Sequence, residues 1–212
     1  MTGKVADYYK IALNLEYFTL VYNFFEALAS LFFGSAAGSI ALVGFGLDSI
    51  IESLSGLVLI WRLRKHEHLT AEKEEHIEKK ALLFIAITFF ILGFYVMYES
   101  VLKLYTREIA SASVPGMVIA LLSLVVMPVL AWKKRSVGTA IGSKALIADS
   151  KETLICALMS FALISGLAAN YFLGFWQADP LTGLIITLFL FREGYELWQD
   201  TRDGPDQENL MI

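Results

Sequence analysis

Little in this sequence is charged, and the residue types that usually carry soluble chemistry are scarce. There is one cysteine, Cys156, together with three histidines and four prolines in 212 residues. A lone cysteine excludes an intrachain disulfide, so redox chemistry says nothing of the compartment. Charged residues make up 18% of the chain, where soluble domains carry about 25%, while 57% of residues are hydrophobic and mean hydropathy is +0.60. The formal charge of −4 comes with no basic stripe, so no nucleic-acid partner is expected. The opening MTGKVADYYK lacks the basic leader, apolar core and small-residue cleavage site of a secretory signal.

What is present instead is a series of long apolar runs. A membrane-crossing helix takes roughly 20 mostly apolar residues, and the runs predict six spans, at about 12–33, 38–61, 81–103, 114–132, 140–171 and 178–198. The expected fold is an all-α integral membrane protein, a six-transmembrane-helix bundle. Residues 1–200 then form one transmembrane domain and 201–212 a short cytoplasmic tail, with no soluble domain expected after them. The gap FGSAAGS makes a hairpin of the first two spans. The one long polar connection, RLRKHEHLTAEKEEHIEKK, is rich in Glu and Lys and is expected to prolong the helices on either side. No solenoid period and no low-complexity tract interrupts this pattern.

Lys and Arg set the orientation. Lys4, Lys10, Arg62, Arg64, Lys65, Lys73, Lys79, Lys80, Lys133, Lys134, Arg135, Arg192 and Arg202 fall on one side of the spans, against Lys103 and Arg107 on the other. That count of 13 against 2 puts both termini in the cytoplasm.

Within the spans, acidic residues stand out. Asp48 and Glu52 are the only charges between Glu26 and Arg62. An ionised carboxylate at the centre of a membrane helix costs at least ~2.5 kcal/mol, so such residues face protein or water and mark ion or proton paths. Four residues apart, these two share one helix face. In the fifth span Asp149, Glu152 and Cys156 form a second stripe, at i, i+3 and i+7. Two stripes of oxygen and sulfur donors at similar depth suggest a divalent metal site, since Zn²⁺ is held tetrahedrally by Cys, His, Asp or Glu. The alternative is that these acids are protonated, or hydrogen-bond neighbouring helices without binding an ion.

These stretches resemble the cation diffusion facilitator family. GSIALVGFGLDSIIES is similar to its second membrane helix, with Asp48 and Glu52 on the family's DxxxD pair. SKALIADSKETLIC is similar to the fifth helix, where Ser143, Ala145 and Asp149 match, Glu152 stands where the family has His, and Cys156 where it has Asp. ADPLTGLIITLFLFREGYELW and YESVLKLY resemble the sixth helix and the end of the third. The resemblance implies an antiporter that exports divalent metal in exchange for protons, working as a homodimer, here joined through membrane helices. It implies no enzyme activity and no prosthetic group. The metal ligands it implies are Asp48, Glu52, Glu152 and Cys156, with Asp149 a fifth participant that gates, relays protons or replaces a ligand. The thiol argues for Zn²⁺, or Cd²⁺ and Co²⁺, over Mg²⁺ and Ca²⁺; Mn²⁺ and Fe²⁺ remain further candidate substrates. The rival expectations are a membrane metal-binding or scaffold protein without turnover, and a passive cation channel. The expected location is the plasma (inner) membrane.

The remaining polar residues carry weaker expectations. Lys151 reads as a counter-ion for an acid on another span, Glu16, Glu26 or Glu99, and less readily as a stand-in for a proton in the empty site. Asn23 and Glu26 share a face and line the same cavity or bond neighbouring helices. His66, His68 and His76 in the polar connection are solvated or form an accessory metal site. Trp61, Trp132, Trp176 and Trp198 fall near span ends, as interfacial anchors do.

Overall fold

The computed structural model describes residues 3–65, 71–111 and 113–202, and all of its regular elements are helices. They are α1 (Gly3–Ala37), α2 (Ile40–Lys65), α3 (Ala71–Thr106), α4 (Val114–Ile141), α5 (Lys144–Leu173) and α6 (Ala178–Arg202). The six helices match the six expected spans and all but α5 are longer; α5 was expected from residue 140 but begins at Lys144, because residues 140 and 141 end α4. The polar connection is largely helical, its first residues completing α2 and its last ones opening α3. His66 and His68 lie outside the described residues, and so does the expected tail from 203 onward. His76 falls in the opening turns of α3.

The fourth span differs from expectation. α4 does not stop at Trp132 but continues through Lys133, Lys134 and Arg135 to Ile141. The three cations were expected in the connection to the fifth span. Lys133 and Arg135 are exposed, but Lys134 is wholly buried, because two carboxylates compensate its charge inside the bundle. With Lys134 taken out of the surface tally, the charge count becomes twelve against two.

Beside its apolar core the bundle buries a row of polar side chains, and its exterior is rich in large apolar ones, unlike that of a soluble domain. Along α1, Glu16, Thr19, Asn23, Glu26 and Ser30 recur at helical spacing and are all buried. Phe18, Phe25 and Phe32 on the same helix are exposed, as is the apolar row Phe84, Ile91 and Tyr98 on α3. An exterior of this kind suits lipid, since every backbone group is already satisfied within a helix. Among the described residues, five helices are long and apolar enough to cross a membrane: α1, α2, α4, α5 and the part of α3 from Leu83 onward. α6 carries more charge but runs antiparallel along the apolar part of α3. Gly183 lies against Ser100, Gly93 against Phe191, and Gly194 against Ala86 and Phe89. Its 25 residues reach about 37 Å at 1.5 Å per residue, enough to cross with α3.

α1 packs on α2, α4 on α5 and α3 on α6, while α1 also meets α4 and α2 meets α5. At one end of the bundle, Asp179 at the start of α6 accepts hydrogen bonds from the Ser39 hydroxyl and from the Ile40 amide, the latter at 3.0 Å. Lys103 of α3 donates to the Gly38 carbonyl beside them. The α1–α2 turn is thereby tied to both α3 and α6. The main apolar core, with Phe45, Ile85, Val96, Met127, Leu163 and Ile186, fills the space between the helices.

Candidate functional site

The four donors first singled out occupy α2 and α5, whose starts are built alike. Gly38 closes α1 with a left-handed φ of 63°, and Gly142 closes α4 with a φ of 67°. Only glycine adopts this conformation without a Cβ penalty. The Ser39 amide donates to the Gly34 carbonyl at 2.9 Å, and the Ser143 amide to that of Gly138, also at 2.9 Å. The serine hydroxyls then cap the next helices, Ser39 accepting from the Leu42 amide at 3.1 Å and Ser143 from that of Leu146 at 3.3 Å. Even the close approach within each hairpin recurs. A Cβ on Gly34 would meet Val43 at 3.0 Å, and one on Gly138 would meet Ile147 at 3.0 Å.

These pairs share one offset, 104 residues, and the offset extends to the donors. Glu152 follows Asp48 by 104, and Cys156 follows Glu52 by 104. The two stretches read GSAAGSIALVGFGLDSIIE, from Gly34, and GTAIGSKALIADSKETLIC, from Gly138. Helix ends agree as well, α1 at Ala37 and α4 at Ile141, α2 opening at Ile40 and α5 at Lys144. The chain is therefore two three-helix halves. An odd number of crossings turns the second half over, and α4 indeed runs antiparallel to α1: Ser111, just before α4, bonds the end of α1 at Ala37, while Lys134 near the end of α4 meets Glu16. The two glycine turns lie at opposite ends of the bundle, and the donor pairs face each other across the interface of the halves. Inverted repeats of this kind place transported ions at the repeat interface.

Asp48 and Glu52 are each 4% exposed and Cys156 is 1% exposed. Glu52 Oε1 accepts from the Thr153 hydroxyl at 3.0 Å, fixing α2 to α5 at this depth. Cys156 has Glu52, its own repeat counterpart, within electrostatic range, together with Glu26, Asp48 and the Ser123 hydroxyl. Glu152 has Ser55 beside it and Glu52 and Glu193 in range. One carboxylate oxygen of Glu52, one of Glu152, one of Glu26 and one of Glu193 are buried without a hydrogen-bond partner. In a low-dielectric interior an unpaired acceptor of this sort is costly, and a cation or proton at this cluster would relieve that cost. Among the described residues, no three His, Cys, Asp or Glu side chains are drawn together to metal-binding range.

Asp149 has a different partner. Its Oδ2 stands 2.5 Å from Lys134 Nζ, which also reaches Glu16 Oε2 at 3.2 Å and the Thr153 hydroxyl at 3.3 Å. The buried counter-ion of Glu16 is thus Lys134, whereas Lys151, expected in that role, is exposed. Glu26 accepts from Ser49 of α2 at 2.8 Å, and Asn23 is buried beside Glu52 of α2, so the face they share bonds the neighbouring helix.

The sequence reading missed Lys134, Thr153 and Glu193. Lys134 was hidden in a KKR triplet that looks like a connection. Glu193 sits in FREGYELW of the sixth span and was not singled out, but it is 5% exposed and lies within electrostatic range of Asp48 and Glu152. The signal available for Lys134 was the repeated GS turn, which extends α4 to Ile141 and keeps Lys134 within the helix.

Comparison with known proteins agrees with this architecture. Residues 17–203 match the family described as the cation efflux transmembrane domain. Transmembrane protein 163 of Xenopus laevis is 24% identical over 195 residues, covering 92% of this chain and 68% of that protein. Magnetosome protein MamB of Magnetospira sp. (strain QH-2) is 26% identical over 175 residues, covering 81% of this chain and 59% of that one. An uncharacterized transporter of Methanocaldococcus jannaschii is 22% identical over 183 residues, with 84% and 64% covered. The chain thus spans about three fifths to two thirds of the length of these relatives. With a family match over nearly the whole bundle and paired acidic donors at its centre, the chain belongs to the cation efflux family and is a multi-pass membrane transporter of metal cations.

Proposed function

We propose that this protein exports a divalent transition-metal cation, Zn²⁺ before others, from the cytoplasm in exchange for protons. The cation is held between Asp48 and Glu52 of one half and Glu152 and Cys156 of the other. The observation that carries this reading is the 104-residue offset, which relates Asp48 to Glu152 and Glu52 to Cys156 as it relates the capping serines Ser39 and Ser143. Three carboxylates and one thiolate give a four-donor set, suited to the tetrahedral coordination of a borderline-soft ion.

The same donors account for exchange. A metal ligand must be deprotonated, so filling the site releases protons and emptying it takes them up. Buried carboxylates at this spacing do not all remain charged without a cation. Protons and metal therefore alternate on one set of oxygens, and rocking of the two halves about their interface exposes that set to one side and then the other. Cytoplasmic termini follow from the charge count, and the plasma membrane is the proposed location. A homodimer, joined through the lipid-facing helices, is the proposed assembly.

Reconstitution into proteoliposomes tests this. An imposed pH gradient should drive Zn²⁺ uptake at zero membrane potential. Uptake that follows voltage and ignores the pH gradient would instead support a passive channel, and binding without uptake a scaffold. The same assay with Cd²⁺, Co²⁺, Mn²⁺ and Fe²⁺ ranks the substrates.

A further inference from the structure

Lys134 has no exposed surface, yet it lies among the most polar atoms of the bundle. Its ammonium joins three helices, meeting Glu16 of α1 and both Asp149 and Thr153 of α5 from its own place on α4. Thr153 continues the contact to Glu52, one of the proposed cation ligands. The network is not part of what makes the hairpin fold. In the first half, the positions 104 residues earlier hold Ser30 for Lys134 and Phe45 for Asp149. Ser30 simply packs against Gly46, and Phe45 is buried in the apolar core, while the turn and close approach are the same. The Lys134–Asp149 pair, which has no counterpart at the equivalent positions of the first half, answers to something other than the shared hairpin fold.

Asp149 lies one turn from Glu152 and within its electrostatic range. Left free, it would add a fourth carboxylate to the proposed ligand set, and sites of four or more carboxylates suit larger, harder ions with six or more oxygen ligands. We propose that Lys134 is a tethered cation that determines the specificity of the site. By holding Asp149 and Glu16, it keeps Asp149 out of the ligand set and leaves the four donors Asp48, Glu52, Glu152 and Cys156, which favours borderline-soft ions over Mn²⁺. Lys134 is a positioning residue, since it acts on the cation only through Asp149 and Thr153. This inference rests on the four-donor reading given above.

The test is competition of Mn²⁺ against Cd²⁺ for binding to the purified full chain in lipid nanodiscs. Lys134→Met should move the affinity ratio toward Mn²⁺ by about tenfold, the size of effect typical of a lost supporting contact around a metal site. Lys134→Arg should keep the native ratio. The triple variant Lys134→Met/Glu16→Gln/Asp149→Asn, which leaves no unpaired charge behind, should return it to the native value. A native ratio in Lys134→Met overturns the proposal. Should that variant fail to fold, the native background decides through two single changes. Asp149→Asn should leave Cd²⁺ affinity within about twofold, while Glu152→Gln loses it by about tenfold or more. Equal losses in the two would make Asp149 a ligand and overturn the proposal. If Asp48→Asn, Glu52→Gln and Glu152→Gln all bind Cd²⁺ like the native protein, the four-donor reading itself fails and this inference falls with it. If they lose binding while Lys134→Met keeps the native ratio, only the inference fails.

Discussion

Gly34 and Gly138 occupy one structural position in two halves of the molecule: each lets the following helix approach so closely that an added Cβ would meet its neighbour at 3.0 Å. Backbone as well as side chain stands in the way, the Val43 amide nitrogen at 3.0 Å from the first and that of Ile147 at 3.2 Å from the second. Backbone cannot rotate aside as a flexible side chain does. Gly34→Ala and Gly138→Ala should therefore each destabilise the protein by about 1–3 kcal/mol, the usual cost of overpacking. Thermal unfolding in detergent should show similar losses for both. A loss confined to one of them would break the equivalence of the halves.

Asp48→Asn and Glu52→Gln should abolish Zn²⁺ transport while leaving the protein inserted and folded. Each is close to isosteric and removes a buried carboxylate that is expensive to keep charged in a membrane interior. Stability should hold or rise in Asp48→Asn. Glu52→Gln keeps an oxygen to accept from Thr153 at the present 3.0 Å. Transport in proteoliposomes, set beside gel-filtration profiles in the same detergent, separates loss of function from loss of fold. Full transport in the double variant would remove α2 from the site.

Most of the fold was legible in the sequence, and so were the two helix-face pairs from which the candidate site is built, for one reason. In an apolar chain each intramembrane charge is costly and therefore meaningful, and helical spacing then groups Asp48 with Glu52 and Glu152 with Cys156. The misreading of Lys134 shows where that reasoning stops. A cation next to Lys133 and Arg135 looks solvated by composition, and only Glu16, 118 residues away, and Asp149 across the turn make it a buried residue. Such pairing is tertiary and leaves no local trace. Glu193 escaped notice for a related reason, because its neighbours Asp48 and Glu152 belong to other helices. The repeat was different: it was written in the chain at an offset of 104 residues, and recognising it would have placed the end of α4 correctly.

The orientation can be checked at two exposed positions. Glu108 follows α3 and Thr139 lies in the last turn of α4, at opposite ends of the bundle. With both termini cytoplasmic, a membrane-impermeant maleimide should label Glu108→Cys in intact cells and Thr139→Cys only after permeabilisation. The native Cys156 is buried and adds little background. The opposite pattern would invert the topology and turn proposed export into import.

Cys156 offers the sharpest test of the cation's identity. Its surroundings point two ways. It packs with Ile155, Ala157 and Met159 in the apolar core, where a free cysteine behaves as a small hydrophobe. Yet Glu52, Glu26 and Asp48 lie in electrostatic range of its sulfur, and Ser123 is beside it. A residue present only to fill space has no need of three carboxylates around it. As the soft donor of the set, Cys156 should govern the preference for Zn²⁺ and Cd²⁺ over Mn²⁺. Cys156→Ser keeps the size and loses the sulfur, so it should weaken Cd²⁺ binding far more than Mn²⁺ binding. Cys156→Asp should keep transport and move selectivity toward harder ions. Bound Zn²⁺ should also slow alkylation of the native thiol by a small permeant reagent, and no second cysteine complicates that measurement. A packing role makes the reverse set of outcomes: serine is tolerated, the buried aspartate is damaging, and Zn²⁺ gives no protection. Unchanged Cd²⁺ affinity in Cys156→Ser, with alkylation of the native thiol indifferent to Zn²⁺, would leave the site with carboxylates alone and remove the argument for a soft cation.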